Sequence, residues 1–184
     1  MRTTIFFLIA ALYITRTVAP NPTDRSLLLR AASNGKADLV KTLIASGVDK
    51  DKGDKLGFTP LHAAAKEGQL ESIRALLSAG ANSNKRDKWG KSPLHLAAKE
   101  GHSTVARVLV AVGGADKDSP TKVHGWTPLI IAAFHGHVGV VRALVVAGAD
   151  KTRSTLKERQ GIASGSTALD VGKQKGFADI VAVL

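Results

Sequence analysis

The sequence predicts an all-α solenoid of about five stacked units, each made of a β-hairpin followed by a helix–turn–helix. Two observations carry this prediction. A segment of about a dozen residues, Gly57 to Gly68, recurs 33 residues later as Gly90 to Gly101. Each copy is followed by a second apolar segment that closes on Gly-Ala, first at Gly80. Self-similarity at this period is typical of a repeat array, whose neighbouring units share one continuous core.

The order of residues within one unit predicts its two helices. Thr59 before Pro60 marks a helix start, because the hydroxyl caps free backbone N–H groups and proline suits the first turn. Gly68 ends this helix, since a left-handed residue is needed there. The next segment carries one apolar stripe at helical spacing and ends at Gly80. Runs of alanine in each first helix allow neighbouring units to approach closely.

The repeat frame also predicts the boundaries of the domain. We expect an array over residues 24–184, with units 24–56, 57–89, 90–124 and 125–164 and an incomplete unit 165–184. The first and last units act as caps. Seven extra residues lengthen the hairpin between Lys151 and Ser164.

This lengthened hairpin holds the densest basic run of the chain, Lys151, Arg153, Lys157 and Arg159, opposed only by Glu158. Two interpretations are open: a mobile, solvated loop, or a contact for an acidic partner. The run contains no aromatic residue, so it gives no support for stacking on nucleic-acid bases.

The first nineteen residues differ from the rest. Arg2 precedes an uninterrupted apolar run from Ile5 to Ile14, and residues 1–23 hold no acidic side chain. This order is typical of a secretory signal peptide, which we expect at residues 1–19 with cleavage after Ala19 and a linker at 20–23. An uncleaved short anchor, a mitochondrial-type leader and a start without targeting function are the alternatives. The run is shorter than the roughly 20 residues needed to span a bilayer, so a transmembrane anchor is the weaker interpretation. We therefore expect no transmembrane span beyond this leader, and a secretory or extracellular location; a cytoplasmic or nuclear one is the alternative.

Composition and motifs argue against catalysis. The chain has no cysteine, which excludes disulfides, thiolate zinc sites and thiol nucleophiles. It also has no serine in a nucleophile-elbow context and no phosphate-binding glycine loop. Among the histidines, His135 and His137 are too close together for a helical ligand pair and are interpreted as solvated, and His102 and His124 are isolated. We expect no enzyme activity, no metal and no cofactor.

The repeated motif resembles that of ankyrin repeats. Thr-Pro-Leu-His stands at residues 59–62, and Ser-Pro-Leu-His at 92–95. The third copy keeps Thr-Pro-Leu at 127–129 but has Ile130 in place of histidine, and the last reads Thr-Ala-Leu-Asp at 167–170. The resemblance covers residues 24–184. It implies that His62 and His95 are structural and hydrogen-bond to the capping hydroxyl and to neighbouring backbone.

The resemblance also implies a non-enzymatic scaffold that binds a protein partner. Contacts are expected from the hairpin tips and the exposed side of each first helix, which line a concave face. Both tryptophans of the chain fall at such positions, and tryptophan is enriched at binding hot spots. The alternative is that they pack against neighbouring hairpins. The predicted partner-binding residues are Lys55, Phe58, Lys66, Lys88, Trp89, Lys91, Lys99, His124, Trp126 and Phe134.

The formal net charge of +11 favours a partner of acidic character. The excess is spread evenly over the units rather than gathered in a stripe, so nucleic acid is not expected. An electrostatic binder of an anionic polymer or membrane surface is the alternative function. Five units are enough for an independently stable array, and we expect a monomer.

Overall fold

The structure is a computed structural model that describes residues 22–184. The predicted signal peptide at 1–19 lies outside the described residues and stays a prediction. The first helix begins at Pro22, inside the segment 20–23 predicted as a linker. No helix within residues 22–184 is long and apolar enough to cross a membrane.

Ten α-helices in the described range form five consecutive pairs, as the repeat frame predicts. The pairs are α1 (Pro22–Ser33) with α2 (Ala37–Ala45), α3 (Pro60–Lys66) with α4 (Leu70–Ser78), α5 (Pro93–Glu100) with α6 (Ser103–Ala111), α7 (Pro128–Phe134) with α8 (Val138–Val146), and α9 (Ala168–Lys175) with α10 (Ala178–Val183).

The predicted helix starts and stops are confirmed. The Thr59 hydroxyl accepts a hydrogen bond from the backbone N–H of His62, and Thr127 does the same for Ile130. Proline occupies the first turn of α3, α5 and α7, where its missing N–H costs nothing. Gly101 ends α5 in the left-handed conformation, with φ 81° and ψ 18°.

The helices stack in two rows. The first helices of successive units pack on one another in the order α1, α3, α5, α7 and α9, and the second helices do so in the order α2, α4, α6, α8 and α10. The predicted small residues of the first helices are buried, including Ala64, Ala97 and Ala132. In the last unit Val171 and Ile180 face the core. One continuous hydrophobic core therefore runs from α1 to α10.

The predicted β-hairpins do not form strands. Within residues 22–184 only two isolated antiparallel bridges occur, Ser154 with Thr167 and Arg159 with Ile162. In the turns before α3 and α5, an aspartate carboxylate instead accepts hydrogen bonds from backbone N–H groups of the turn. In the turn before α5, Asp87 Oδ1 accepts hydrogen bonds from the N–H groups of Trp89 and Lys91, at 2.9 and 2.8 Å.

Backbone hydrogen bonds connect each tip to the next. Leu56 O accepts from Lys88 N, and Trp89 O accepts from Lys122 N. His124 O accepts from Leu156 N at 2.8 Å, so the ladder continues into the lengthened hairpin. The tips consequently form one continuous edge beside the row of first helices.

Candidate binding surface

The ten predicted contact residues all lie in the tips or in the last turn of a first helix, but their exposure differs. Lys55, Lys66, Lys88, Trp89 and Lys99 are exposed, Phe58, Lys91, His124 and Phe134 are half-buried, and Trp126 is buried. Two of the exposed lysines have carboxylate neighbours. Lys66 pairs with Glu67 at 3.2 Å, and Lys99 with Glu100 at 2.7 Å. Such exposed pairs are weak and leave both groups accessible to a partner.

Trp89 is the exposed aromatic side chain of this surface. It keeps 45% of its area accessible at the tip before α5. The Lys88 ammonium lies 4.5 Å from the centre of its ring, which is cation–π distance. The backbone on both sides of the ring is held by Asp87 and by the ladder bond to Lys122. A rigidly positioned, half-exposed tryptophan is the kind of side chain that anchors a partner.

The prediction that Trp126 is exposed is wrong. Its side chain is only 5% accessible and belongs to the core. Its ring packs 4.9 Å from that of Phe134, and the Arg159 guanidinium lies 5.5 Å from its centre. Phe134 is itself covered by Lys175 from the last unit, at 4.2 Å. The alternative interpretation, packing against a neighbouring hairpin, therefore holds for Trp126.

The lengthened hairpin is largely exposed, but two of its residues attach it to the array. Ile162 is completely buried in the hydrophobic core, and Thr155 is nearly so. The Thr155 hydroxyl donates to Ala163 O at 2.7 Å and accepts from Ser166 N at 3.1 Å. The hairpin is thus folded on itself and anchored to the array, and it carries Arg159 onto Trp126.

Two adjoining cavities lie where this hairpin meets the preceding tips, and we call them together the basic cleft. The outer cavity, of about 200 Å³, is lined by Trp89, Lys91, Thr121, Val123, His124 and Arg159. The inner cavity, of about 90 Å³, is lined by Lys91, His95, Lys99, Thr121, Trp126, Ile131, His135, Arg159 and Gln160. Lys91, Thr121 and Arg159 form the boundary shared by both.

Cationic side chains predominate around the basic cleft. Burial lowers the pKa of Lys91, Arg159 and Lys99 add to this effect, and the carboxylates of Asp87 and Glu100 oppose it. Burial also lowers the pKa of His124, with Arg159 and Lys157 as the charged contributors. Within the described residues neither Lys91 nor Arg159 makes a salt bridge, whereas Lys99 has Glu100. Positive charge here is only partly neutralised by the protein itself.

The family follows from a comparison with sequence models of known families. The model for ankyrin repeats, which spans three copies, matches residues 4–87 and again residues 79–155. The chain belongs to the ankyrin-repeat family. A search of curated proteins found no match.

In this ankyrin array the motif histidines are structural, as predicted. His62 Nδ1 lies 2.8 Å from the Thr59 hydroxyl, and Nε2 lies 3.0 Å from the carbonyl oxygen of Lys91 in the next tip. His95 makes the equivalent contact with Ser92. Among the described residues no group of three or more His, Asp or Glu side chains could hold a metal ion.

Two further histidines join consecutive ankyrin units, which the sequence analysis did not predict. His102 Nε2 lies 3.0 Å from Lys66 O, and His137 Nε2 lies 2.9 Å from Lys99 O. The ring of His137 also stacks on that of the exposed His135, with 6.1 Å between the ring centres. His102 and His137 directly follow the glycine that ends a first helix, and that shared position was the available sequence signal.

Stability of the array should fall as the pH drops below the ordinary pKa of histidine. Burial lowers the pKa of His95 from 6.5 to about 4, because the folded state cannot solvate the charged ring. The unfolded chain then binds a proton that the folded chain does not, so stability is complete above pH 6.5 and declines below it. Between pH 6.5 and 5 we expect His95 alone to cost about 1.5 kcal/mol. Urea unfolding of wild type and His95→Gln at both pH values measures this. An equal loss of unfolding free energy between the two pH values in both proteins would contradict it.

The basic run of the lengthened hairpin is evident in the sequence, but the residues that fix the hairpin in place were not predicted. Ile162 is an apolar side chain within a polar segment, and its burial anchors the hairpin to the core. This apolar residue was the available sequence signal. Gln160, which lines the inner cavity, carried no signal of its own.

Proposed function

We propose that this chain is a non-enzymatic scaffold that binds a protein of acidic character through its tips and the adjacent ends of its first helices. Ankyrin repeats generally mediate protein–protein interactions, and proteins built from them are typically non-enzymatic scaffolds. The observation that carries the proposal is Trp89, a half-exposed aromatic residue fixed at a tip and surrounded by lysines.

The local arrangement fits an interface anchor with a basic rim. Lys88 and Lys91 stand on either side of Trp89, and Lys55 is exposed at the preceding tip. Apolar contact in the centre supplies affinity, while the surrounding cations select for negative charge and speed association. The evenly repeated lysines at the ends of α3 and α5 extend the same chemistry along the array.

Trp89→Ala is expected to weaken partner binding by about 1–3 kcal/mol, roughly 5- to 150-fold in Kd. The melting temperature should barely change, because the side chain is largely outside the core. Partners recovered by affinity purification with the wild-type chain are identified, purified and titrated against wild type and variant. Val146→Ala, at an 88% exposed position on α8, is the control for a surface change away from the tips.

The same titration distinguishes the proposed scaffold from the alternative function. An electrostatic binder of an anionic polymer or membrane surface would lose affinity steeply with salt and would be unaffected by Trp89→Ala. A scaffold of the proposed kind loses affinity in the variant at every salt concentration. Unchanged binding by Trp89→Ala would overturn the proposed role of the tip.

A further inference from the structure

The most unusual feature of the basic cleft is a concentration of buried polar atoms without hydrogen-bond partners. In the described part of the chain, four buried side-chain nitrogen or oxygen atoms are unpaired. Three of them are ring nitrogens of residues that line the cleft, namely His95 Nε2, His124 Nδ1 and Trp126 Nε1. Buried polar groups are normally paired, because an unpaired one costs about 1–3 kcal/mol.

Two of these nitrogens are hydrogen-bond donors. Indole Nε1 always carries a proton. In His95, Nδ1 accepts from the backbone N–H of Ser92 at 3.0 Å, so the ring proton of the neutral side chain sits on Nε2. The backbone carbonyl groups of Ser119 and Trp126 act on His95 as hydrogen-bond acceptors, so its Nε2 proton faces carbonyl oxygens. Trp126 Nε1 is the donor beside the inner cavity that has no acceptor.

The charges around the cavity specify what kind of acceptor fits. Lys91, Lys99 and Arg159 all line it, and Lys91 and Arg159 lack carboxylate partners within the described residues. Asp87 is close to Lys91, but its Oδ1 accepts the two backbone N–H groups of the tip. An anion would satisfy the indole N–H and the cations together, and hydrogen bonds between ionised groups are the strong ones.

We propose that the basic cleft is a specific site for a carboxylate side chain of the protein partner. An Asp or Glu side chain occupies the cleft, and its oxygens accept hydrogen bonds from Arg159, Lys91 and the indole N–H of Trp126. This inference rests on the proposed function and adds to it the chemistry of one contact. It also assigns a role to the lengthened hairpin, which supplies Arg159 and Gln160.

The indole N–H gives a direct measurement of the site. The chain has two tryptophans, so an ¹⁵N-labelled full chain shows two indole signals, which Trp89→Phe assigns. The probe is a blocked hexaglutamate peptide, with blocked hexaglutamine as the neutral control. We expect the Trp126 indole signal to shift and saturate with hexaglutamate and to stay in place with hexaglutamine.

A matched pair of variants tests specificity. Arg159→Gln should weaken the hexaglutamate titration about tenfold, the effect expected when one charge-assisted contact is lost. Arg142→Gln removes the same charge from the exposed surface of α8 and should leave the titration unchanged. Equal weakening by both variants, or peptide binding that leaves the Trp126 signal in place, would overturn the proposed site.

Inorganic phosphate and acetate distinguish the type of anion. If phosphate shifts the Trp126 signal at lower concentrations than acetate does, the site prefers a phosphorylated side chain. That result would overturn the assignment to a carboxylate. The peptide titration does not use the natural partner, so a negative result overturns the carboxylate site but not the scaffold role. The scaffold role is tested separately by partner binding of Trp89→Ala.

Discussion

Replacing Gly101 with alanine is expected to lower the free energy of unfolding by about 2–4 kcal/mol. Gly101 ends α5 at φ 81°, a conformation that strains any residue with a Cβ. The space is also occupied, because a Cβ placed there would lie 2.7 Å from Nδ1 of His137. His137 is fixed by its hydrogen bond to Lys99 O and cannot move aside without breaking the link between two units.

Gly176→Ala is the matched control. Gly176 ends α9 in the same conformation, with φ 73°, but a Cβ there would meet nothing within 4 Å. We expect this variant to show backbone strain alone, about 1 kcal/mol. Urea unfolding of the two variants measures the difference, and equal losses would show that the His137 contact contributes little to the junction between units.

Ile162→Ala is expected to cost about 2–5 kcal/mol, the range for deleting a buried aliphatic side chain. Ile162 is the apolar anchor of the lengthened hairpin and has no solvent exposure. Its loss should also release the hairpin, since the remaining contacts are mostly hydrogen bonds within it. Hydrogen exchange should then accelerate at the amides of Thr155 and Leu156, which are protected by bonds to Ser166 O and His124 O in the wild type.

Leu156→Ala is the control within the same hairpin. Leu156 is 63% exposed, so its truncation should cost at most about 1 kcal/mol and leave exchange elsewhere in the hairpin unchanged. Exchange at Thr155 that is equally slow in wild type and in Ile162→Ala would contradict the anchoring role. Global unfolding is monitored in parallel, so that local release is distinguished from loss of the whole array.

The fold could be predicted from the sequence because the same local signals recur from unit to unit. Thr59 with Pro60, Gly101 and the alanine runs each specify a local structure, and copies at a fixed interval require those structures to stack. The motif histidines were assigned correctly for the same reason. Where a signal recurs, one interpretation satisfies all the copies.

The candidate site was harder because it depends on contacts that do not recur. Trp89 precedes the glycine of its tip, whereas Trp126 follows the corresponding glycine, as Phe58 and Lys91 do in their units. Phe58 and Lys91 are only half-buried, so the repeat frame alone does not predict that Trp126 is buried. The difference arises from the lengthened hairpin, which brings Arg159 onto Trp126, and from Lys175, which covers Phe134. Both are tertiary contacts from later units, outside the reach of periodicity.

The folded hairpin at residues 154–167 has a consequence for how a partner is aligned. A uniform repeat array presents nearly the same surface every 33 residues, so an extended partner could bind in several shifted positions of similar energy. The packed hairpin occurs once in the described chain and breaks this translational symmetry. A partner that contacts this hairpin can bind in only one register. Each tip before the hairpin then meets a fixed position along the partner's sequence.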